Sequence, residues 1–400
     1  MNIWNSKKLK DLDGIEIILG QSPSSKSYNK KNSGLPFLQG KAEFGMIYPN
    51  PKIFTDAPLK IAEGNDLLLS VRAPVGNINL SPYKLCIGRG LAAIRFTKDN
   101  PKFYFYWFLK NQKAIENLGV GSTFKAITGE QLKKIEIPVV ELSEQTAIAN
   151  ILSTVDEAIQ KADEAITKTE RIKQAMMQKL FSEGIGHKEF KQTKIGEIPK
   201  QWNALTLESI TLNITDGKHG DCQNDEDSGY YFISAKDIYD SKINYDKARQ
   251  ITPKDFDDAH KRTKLEPNDI LLTNSGSIGK TALIDFSELS KRTTFQKSVA
   301  IIKVQKEKVN PAFLLHYLAN LQSYLTSLAS GTSQKNLLLK DLRALLIPVP
   351  SIAEQIEITD TIQIFNLKFV LTKERKTKLE RIKQGLMDDL LTGKKRIKIN

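Results

Sequence analysis

The sequence predicts an α+β fold made by tandem duplication, in which a mixed α/β globular domain is followed by a long α-helix and this pair occurs twice. Two observations predict this fold. Two stretches of the 400-residue chain coincide without a gap when it is shifted by 210 residues. Each half also contains about 40 residues in which apolar side chains recur at steps of three and four. Because solenoid repeats are only about 20–50 residues long, a repeat of this length indicates duplication of a whole domain.

The repeated residues are concentrated at the end of each globular domain and along each helix. Residues Gly121, Lys125, Leu132, Ile137, Pro138, Val139, Glu144, Gln145 and Ile148 recur as Gly331, Lys335, Leu342, Ile347, Pro348, Val349, Glu354, Gln355 and Ile358. Farther on, Glu170–Gln174 recurs as Glu380–Gln384. Near the start of each half the offset is shorter, since Trp4 matches Trp202 and Asp66–Leu69 matches Asp269–Leu272. A changing offset indicates loops of different length on a common scaffold.

Six regions are predicted in chain order. They are a first globular domain (1–142), a first helix (143–183), a linker (184–200), a second globular domain (201–350), a second helix (351–392) and a basic tail (393–400). Ser143 is the expected cap of the first helix, which Gly184 ends. The second helix follows Pro350 and ends at Gly393.

The two helices are predicted to pair with each other. Each is about 60 Å long at about 1.5 Å per residue, which exceeds the core of one domain. A seam repeating about every 3.5 residues indicates an antiparallel coiled coil, which would give the chain pseudo-two-fold symmetry. The alternative is that each helix packs only on its own domain. Small and polar seam residues at Ala162, Thr169, Thr372 and Lys376 favour a partly open seam that another protein completes.

Composition places the chain among ordinary globular proteins and excludes several other classes. The 40% apolar and 26% charged fractions exclude wholesale disorder. Two cysteines cannot form a disulfide framework, and four scattered histidines do not predict a metal site. No apolar run is long enough for a membrane span, and the first residues do not resemble a signal peptide. We therefore expect a reduced, cytoplasmic chain that has no membrane contact.

The net charge of +13 is a mild indication of a polyanionic partner. Ten Lys/Arg and four Asp/Glu lie between Lys373 and Asn400, so this segment alone carries +6. The rest of the chain is close to balanced, and any nucleic-acid site in it must be a local patch. The basic tail is either a solvated end or a contact with a phosphate or a partner.

One segment comes close to a phosphate-binding P-loop. Asn274–Thr281 follows the strand-like run Asp269–Leu272, but the P-loop pattern requires Gly where Asn274 stands. Its repeat partner, Ser70–Asn77, keeps the strand and the second Gly but has no Lys. The shared features predict a tight turn that presents polar side chains to phosphates or base edges. No tetrapeptide of the type that holds a flipped base in amino-methyltransferases is present, and no residue is predicted to be catalytic or metal-binding.

Loops rich in Lys, Arg, amides and hydroxyls recur at matched places in both halves. Each alone would be read as a solvated loop, but matched and non-identical polar loops suit recognition of two short DNA sequences. The candidate DNA-binding residues are Lys26, Tyr28, Lys30, Lys31, Lys41, Arg72, Asn77, Arg89, Ser122 and Lys125 in the first half, and Lys218, His219, Lys236, Arg262, Asn274, Ser275, Lys280, Arg292, Lys297, Gln334, Lys335 and Asn336 in the second.

The linker and the two helix starts resemble a known family. The stretch from Glu183 to His187, together with Ile195–Trp202, resembles the central linker of specificity (S) subunits of type I restriction–modification systems. The Ile-Pro…Glu-Gln junctions at 137–145 and 347–355 resemble the starts of that family's helical regions. The resemblance covers essentially the whole chain.

This resemblance implies two target-recognition domains, each reading one half of a split double-stranded DNA target, and a helical spacer between them. It implies docking of two methyltransferase (M) subunits, for which the partner-binding candidates are Glu144, Gln145, Arg171, Glu354, Gln355 and Arg381. Restriction (R) subunits are a further implied partner. S-adenosylmethionine, ATP and Mg are expected only in those partner subunits, so no cofactor is expected in this chain.

Two other classes of function are alternatives. One is a stand-alone DNA methyltransferase or nuclease with a fused recognition domain, against which the lack of a catalytic motif argues. The other is a structural adaptor that binds only protein, with the basic loops incidental. Salt-dependent DNA binding distinguishes the adaptor from a DNA reader.

Overall fold

A computed structural model of the chain describes residues 4–119, 126–239, 241–285, 287–331 and 335–397. The chain divides into two compact units, one formed by Met1–Ala165 with Thr372–Asn400 and the other by Ile166–Leu371. Each unit holds one globular domain and one half of each long helix, whereas the sequence predicted helical regions separate from the domains. The difference follows from helix length, because one domain core cannot cover an apolar stripe about 60 Å long.

The first unit contains eleven short strands and three short helices before the long helix begins. The strands are β1 Ser6–Lys8, β2 Ile15–Leu19, β3 Tyr28–Asn29, β4 Leu35–Leu38, β5 Ile53–Thr55, β6 Ile61–Ala62, β7 Leu67–Ser70, β8 Ile78–Leu80, β9 Leu85–Ile87, β10 Leu91–Phe96 and β11 Glu136–Pro138. The helices are α1 Pro101–Lys110, α2 Gln112–Glu116, α3 Gly129–Lys133 and the long α4 Leu142–Glu183. These counts refer to the described residues.

The second unit repeats this order with additions. Its strands are β12 Phe190–Thr193, β13 Gly196–Pro199, β14 Asn203–Thr206, β15 Thr211–Asp216, β16 Tyr231–Ile233, β17 Ile238–Tyr239, β18 Lys242–Ile243, β19 Arg249–Gln250, β20 Ile270–Thr273, β21 Thr281–Leu283, β22 Thr293–Phe295, β23 Val299–Val304 and β24 Leu346–Val349. Its helices are α5 Pro253–Thr263, α6 Glu288–Lys291, α7 Pro311–Asn320, α8 Gln322–Leu328, α9 Leu339–Arg343 and the long α10 Ile352–Leu390.

The central sheets of the two domains have the same topology, which confirms the predicted duplication. The order β2-β10-β7-β8 in the first domain corresponds to β15-β23-β20-β21 in the second, and all pairs are antiparallel. The register also agrees, because Leu19 lies opposite Ala92 as Asp216 lies opposite Ala300. Strands β7 and β20 are buried along their whole length, as expected for continuous apolar runs at the centre of a core.

The second sheets of the two domains differ. In the first domain β6 pairs with β9 and completes a five-stranded sheet, β3-β5-β4-β9-β6. In the second domain the strand equivalent to β9 is β22, which belongs to the three-stranded sheet β19-β16-β22. Helix α5 packs against β22. A helix therefore lies in the second domain where the first domain has a strand.

The long helices start within one residue of the predicted positions. Helix α4 has 42 residues and α10 has 39. The Ser351 hydroxyl accepts a hydrogen bond from the Glu354 backbone N–H, which is the geometry of a helix cap. The predicted cap at Ser143 is wrong, because α4 begins at Leu142 and the Gln145 N–H bonds to the Glu141 carbonyl.

The helices run antiparallel, as two ion pairs within the first unit show. Lys376 Nζ lies 2.6 Å from Asp163, and Lys383 Nζ lies 2.6 Å from Asp156, so the numbering of one helix rises as that of the other falls. Met387 and Leu390 of α10 belong to the core of the first unit. The alternative that each helix packs only on its own domain is therefore wrong.

The predicted linker and the described part of the basic tail, up to residue 397, both make contacts within the chain. The linker 184–200 contains the antiparallel hairpin β12–β13, whose Ile198 is buried in the second unit's core beside Trp202. In the basic tail, Arg396 pairs with Glu144 and lies over the Trp4 ring. Within the described ranges no helix is both long enough and apolar enough to cross a bilayer.

Candidate nucleic-acid interface

The turn after each central buried strand is a β-hairpin. Strands β20 and β21 pair antiparallel across residues 274–280, as β7 and β8 do across 71–77. The Thr273 hydroxyl accepts the Lys280 N–H at 2.9 Å, and the Ser70 hydroxyl accepts the Asn77 N–H at 3.0 Å. A P-loop requires a helix after the strand, so this turn is not a nucleotide site but the predicted tight turn.

In the second domain the turn borders a cleft of about 330 Å³. Polar side chains from four parts of the chain line it: Asp216, His219, Asn274, Ser275, Lys297 and Asn336, with Leu337–Leu339 as its apolar wall. All of these polar residues except Asp216 were candidates from sequence. The Asn274 side-chain oxygen is buried and has no hydrogen-bond partner among the described residues, which leaves an unused acceptor at the cleft.

Asp216 is the residue of this cleft that sequence reasoning missed. It ends β15, is 8% exposed, and binds a guanidinium and an imidazole side chain. One oxygen accepts from Arg262 Nη2 at 2.7 Å, and the other lies 2.8 Å from His219 Nε2. The sequence signal was an acid at the end of a strand whose counterpart, Leu19, is apolar.

Some candidates of the second half are already paired within the chain. Lys218 lies 2.9 Å from Asp258 and 3.5 Å from Asp255, both on α5. The hydrogen bond to Asp258 raises the pKa of the Lys218 ammonium. Lys218 therefore anchors α5, which differs from the predicted DNA contact. Arg292 is an exposed residue whose guanidinium lies over the Tyr230 ring, 5.9 Å from its centroid.

The remaining candidates of the second half lie at or near the surface. Lys236, Lys297, Lys335 and Asn336 are exposed, and Lys280 is partly buried in the hairpin turn. Gln334 lies outside the described residues, as do Ser122 and Lys125 of the first half.

In the first domain the candidates are more dispersed. Lys41 Nζ donates to Asn77 Oδ1 at 3.2 Å, so these two side chains meet at the hairpin turn. Tyr28 packs on Phe37 and donates to the Pro23 carbonyl, which is a structural role rather than a free contact. The exposed candidates are Lys26, Lys30, Lys31, Arg72 and Arg89.

The position that matches Asp216 is occupied by Leu19, which is 46% exposed. An apolar side chain cannot accept hydrogen bonds from an arginine and a histidine as Asp216 does. The two domains therefore share the backbone of the hairpin turn and of the strand end beside it, but the side chains at the strand end differ.

The glutamines at the two helix starts have an internal role. Gln145 is buried, accepts the Asn100 N–H at 2.7 Å and donates to Asp99 and Val140. Gln355 is equally buried and makes the same pattern of bonds with Asn310, Lys308 and Pro350. Asn100 and Asn310 cap α1 and α7, so each glutamine ties a long helix to the first helix of its domain.

Each adjacent glutamate forms hydrogen bonds with residues that follow the other long helix. Glu144 accepts two hydrogen bonds of 2.7 Å from Arg396, which follows α10. Glu354 accepts the Ile185 N–H and contacts His187, both of which follow α4, and it also accepts from Trp202 Nε1 at 2.9 Å.

These contacts show that Glu144, Gln145, Glu354 and Gln355 bond within the chain, and the predicted partner contact of these four residues stays a prediction. Their hydrogen bonds join the start of each long helix to other segments of the same unit. Arg171 and Arg381 are exposed on the long helices. Their partner contact stays a prediction.

Comparison with known proteins identifies the family. The model of the type I restriction modification DNA specificity domain matches residues 1–170 and 199–381. The putative type I restriction enzyme MjaX specificity subunit of Methanocaldococcus jannaschii is 47% identical over 181 residues, which are 45% of this chain and 43% of that protein. The MjaVIII specificity subunit of the same organism is 24% identical over 99% of this chain and 93% of its own length. The EcoBI specificity subunit of Escherichia coli is 27% identical over 96% of this chain and 84% of its own.

Solved structures agree on the fold. The type I restriction–modification S subunit of M. genitalium has a TM-score of 0.60 at 18% identity, over 99% of this chain and 97% of that chain. A chain from a study of complex assembly and conformational transition of the type I system has a TM-score of 0.61 at 18% identity, over 97% of both chains. The duplicated domains, the paired long helices and the family match lead to one conclusion: this chain belongs to the specificity subunits of type I restriction–modification systems.

Proposed function

We propose that this specificity subunit recognises a bipartite double-stranded DNA target, one half with each domain, and docks methyltransferase subunits on its helices. One observation carries the proposal. The two domains present the same hairpin turn on the same sheet, but the side chains around it differ, with Asp216, Asn274 and Ser275 in one and Leu19, Val71 and Arg72 in the other. A shared backbone with different side chains suits two readers of different sequences.

Exposed cations supply the sequence-independent part of binding. Lys26, Lys30 and Lys31 in the first domain, and Lys236 and Lys297 in the second, are exposed and available to phosphates. Such contacts make DNA affinity fall steeply with salt, whereas hydrogen bonds to base edges carry the specificity. The proposal therefore favours a DNA reader over a protein-only adaptor.

The long helices offer the surface for protein partners. Bulky apolar side chains on α10 are exposed, with Ile364 at 65% and Leu367 at 61%, followed by Leu371 at 54%. Contiguous exposed apolar residues mark interaction surfaces. In this proposal the methyltransferase subunits supply S-adenosylmethionine and flip the target adenine, restriction subunits use ATP and Mg, and this chain performs no chemistry.

The decisive experiment is to express the chain with its methyltransferase partner and map methylated adenines by sequencing. We expect one motif with two specified halves and a fixed unspecified spacer. A single uninterrupted motif would contradict the bipartite proposal. The purified chain alone, incubated with DNA and methyl donor, is the control, and methylation by it would contradict the non-catalytic role.

The helix pair also sets the distance between half-sites in this proposal. Asp163 and Lys376 face each other, so four residues inserted near Ala162, with four more beside Lys376, lengthen both helices by about 6 Å and keep the pairing. Because B-DNA rises about 34 Å per turn, the spacer should widen by about one or two base pairs. An unchanged spacer in the mapped motif would refute the role of the helices as a ruler.

A further inference from the structure

Helix α5 lies in the second domain where the first domain has strand β6, and its Arg262 contacts Asp216 of the cleft. Thr252 caps it, Pro253 begins it, and Phe256 and Ala259 bury its inner face. Its last turn carries His260, Lys261 and Arg262. Strand β6 occupies the corresponding edge of the first domain, so among the described residues of that domain no helix carries an arginine at the place of Arg262.

Asp216 bonds to Arg262 of α5 and to His219, which lines the polar cleft. Its side chain is 11% exposed, and both of its oxygens are engaged, one by Arg262 at 2.7 Å and one by His219 at 2.8 Å. A carboxylate buried to this extent and bonded on both sides holds its partners in place. Lys218 pairs with Asp255 in the first turn of the same helix at 3.5 Å and with Asp258 in its middle at 2.9 Å. The position of Arg262 is therefore determined by its own pair with Asp216 and by the two pairs of Lys218.

Arg262 keeps most of its hydrogen-bonding capacity for a ligand. A guanidinium has five N–H donors, and the structure engages one of them with Asp216. The side chain is 51% exposed, so the other donors face solvent. We infer that Arg262, positioned by Asp216, reads a guanine in the half of the DNA target bound by the second domain. This inference rests on the proposed function.

The choice of guanine follows from the donors and acceptors present. Guanine shows two acceptors, N7 and O6, to the major groove, and arginine matches them with two parallel N–H groups. A cytosine amino group would need an accessible acceptor, and the Asp216 side chain is only 11% exposed and already accepts a hydrogen bond on each oxygen.

The test is the methylation motif of the assembled complex, mapped for the original chain and for Arg262→Gln. We expect the variant to lose discrimination at one guanine of the second half-site by about tenfold or more, with the first half-site and the spacer unchanged. Lys261→Gln removes the same charge from the neighbouring exposed position and is the matched control. It should leave the motif unchanged.

Asp216 is a positioning residue, so its variant must act through Arg262. Asp216→Asn should relax the same position, and adding it to Arg262→Gln should relax that position no further. His219→Gln replaces the second partner of Asp216 and should leave the preference for guanine in the mapped motif unchanged. A structural defect would instead reduce methylation at every site without changing the motif.

Three results would overturn the inference. One is an unchanged motif in Arg262→Gln, and another is relaxation at the first half-site. The third is a loss that does not depend on sequence, which identifies a phosphate contact. If Arg262→Gln abolishes methylation, binding of the complex to duplexes changed at each second-half position decides among these results. Absence of any bipartite motif for the original chain contradicts the proposed function instead.

Discussion

The two halves of the chain share several buried contacts but differ in the side chains around the hairpin turn that follows the central strand. Asp66 accepts two hydrogen bonds of 2.9 Å from Arg95, and at the matched positions Asp269 lies 2.7 Å from Lys303. The glutamine contacts at the helix starts agree as closely. In contrast, Leu19 is replaced by Asp216 and β6 by α5. The difference shows that buried polar contacts hold the shared frame, while surface positions on it are free to diverge.

A second difference lies where the long helices meet the globular domains. In the first unit Tyr106 donates to Asp156, which also pairs with Lys383. The matched residues of the second unit are His316, Asn366 and Lys173, so no carboxylate occupies the matched helix position. Burial lowers the pKa of the Lys173 ammonium, and burial with Lys173 nearby lowers the pKa of His316 to about 4. The second unit thus packs basic groups where the first has an ion pair.

The largest expected effect concerns the buried glutamines at the starts of the two long helices. Gln145→Ala and Gln355→Ala each remove three hydrogen bonds from a buried side chain, so each should lower the free energy of unfolding of its own unit by about 3 kcal/mol. Denaturant unfolding followed by hydrogen exchange measures the two units separately. A large effect in only one unit would show that the frames are not equivalent.

The next effect is a difference in acid sensitivity. Below about pH 6.5 the unfolded chain protonates His316, which the folded second unit resists until about pH 4. Its contribution to stability is therefore complete above pH 6.5 and is lost as the pH falls, by about 2 kcal/mol at pH 4.5. Hydrogen exchange at pH 7 and at pH 4.5, extrapolated to a common intrinsic rate, should show this loss in the second unit.

Two variants test whether His316 causes it. His316→Tyr introduces the residue of the first unit, and His316→Asn is a smaller neutral replacement that avoids a failure of packing. Both should reduce the acid sensitivity of the second unit. Equal sensitivity with and without His316 would assign the effect to other groups.

A smaller effect should distinguish the two glutamate contacts. Arg396→Ala should increase hydrogen exchange around Trp4 and Glu144 in the first unit only, because Arg396 supplies both short bonds to Glu144. His187→Ala should act in the second unit only and more weakly, since Glu354 keeps its bonds to Trp202 and Ile185. Lys394→Ala is the neighbouring control in the tail. Loss of protection in both units from one variant would refute this division.

The smallest effect is expected at Leu19, the last residue of β2 in the first domain. Leu19→Asp places the acid of the second domain at the matched position, and because Leu19 is 46% exposed the stability should change by less than about 0.5 kcal/mol. The mapped motif should change in the first half-site alone. A stability loss of several kcal/mol would show that Leu19 belongs to the frame.

Several features of the fold followed from local pattern. The two long helices, the repeated buried strands and the tight turn after them were predictable because each depends on residues close in sequence. The linker hairpin was not, because its strands are short and polar and Ile198 becomes apolar core only beside Trp202. The internal role of Glu144 was also hidden, since its partner Arg396 is 252 residues away.

The candidate site shows the same division. His219, Asn274, Ser275, Lys297 and Asn336 were each recognisable as polar loop residues, but only the fold places them around one cleft. Asp216 was missed because a single acid at the end of a strand, followed by an acid-rich loop, does not reveal its partner. Its meaning depends on Arg262, which α5 brings to it from 46 residues along the chain.

The amino-acid sequence by itself determined the duplication, the helices and the family, since these depend on periodicity and on residues that recur at a constant offset. The tertiary structure decided where the two compact units divide, which polar residues bond inside each unit, and which remain exposed. The physical reason is that burial and pairing are properties of contacts between distant segments. The same Glu, Gln or Arg side chain serves the frame or the surface according to what packs against it.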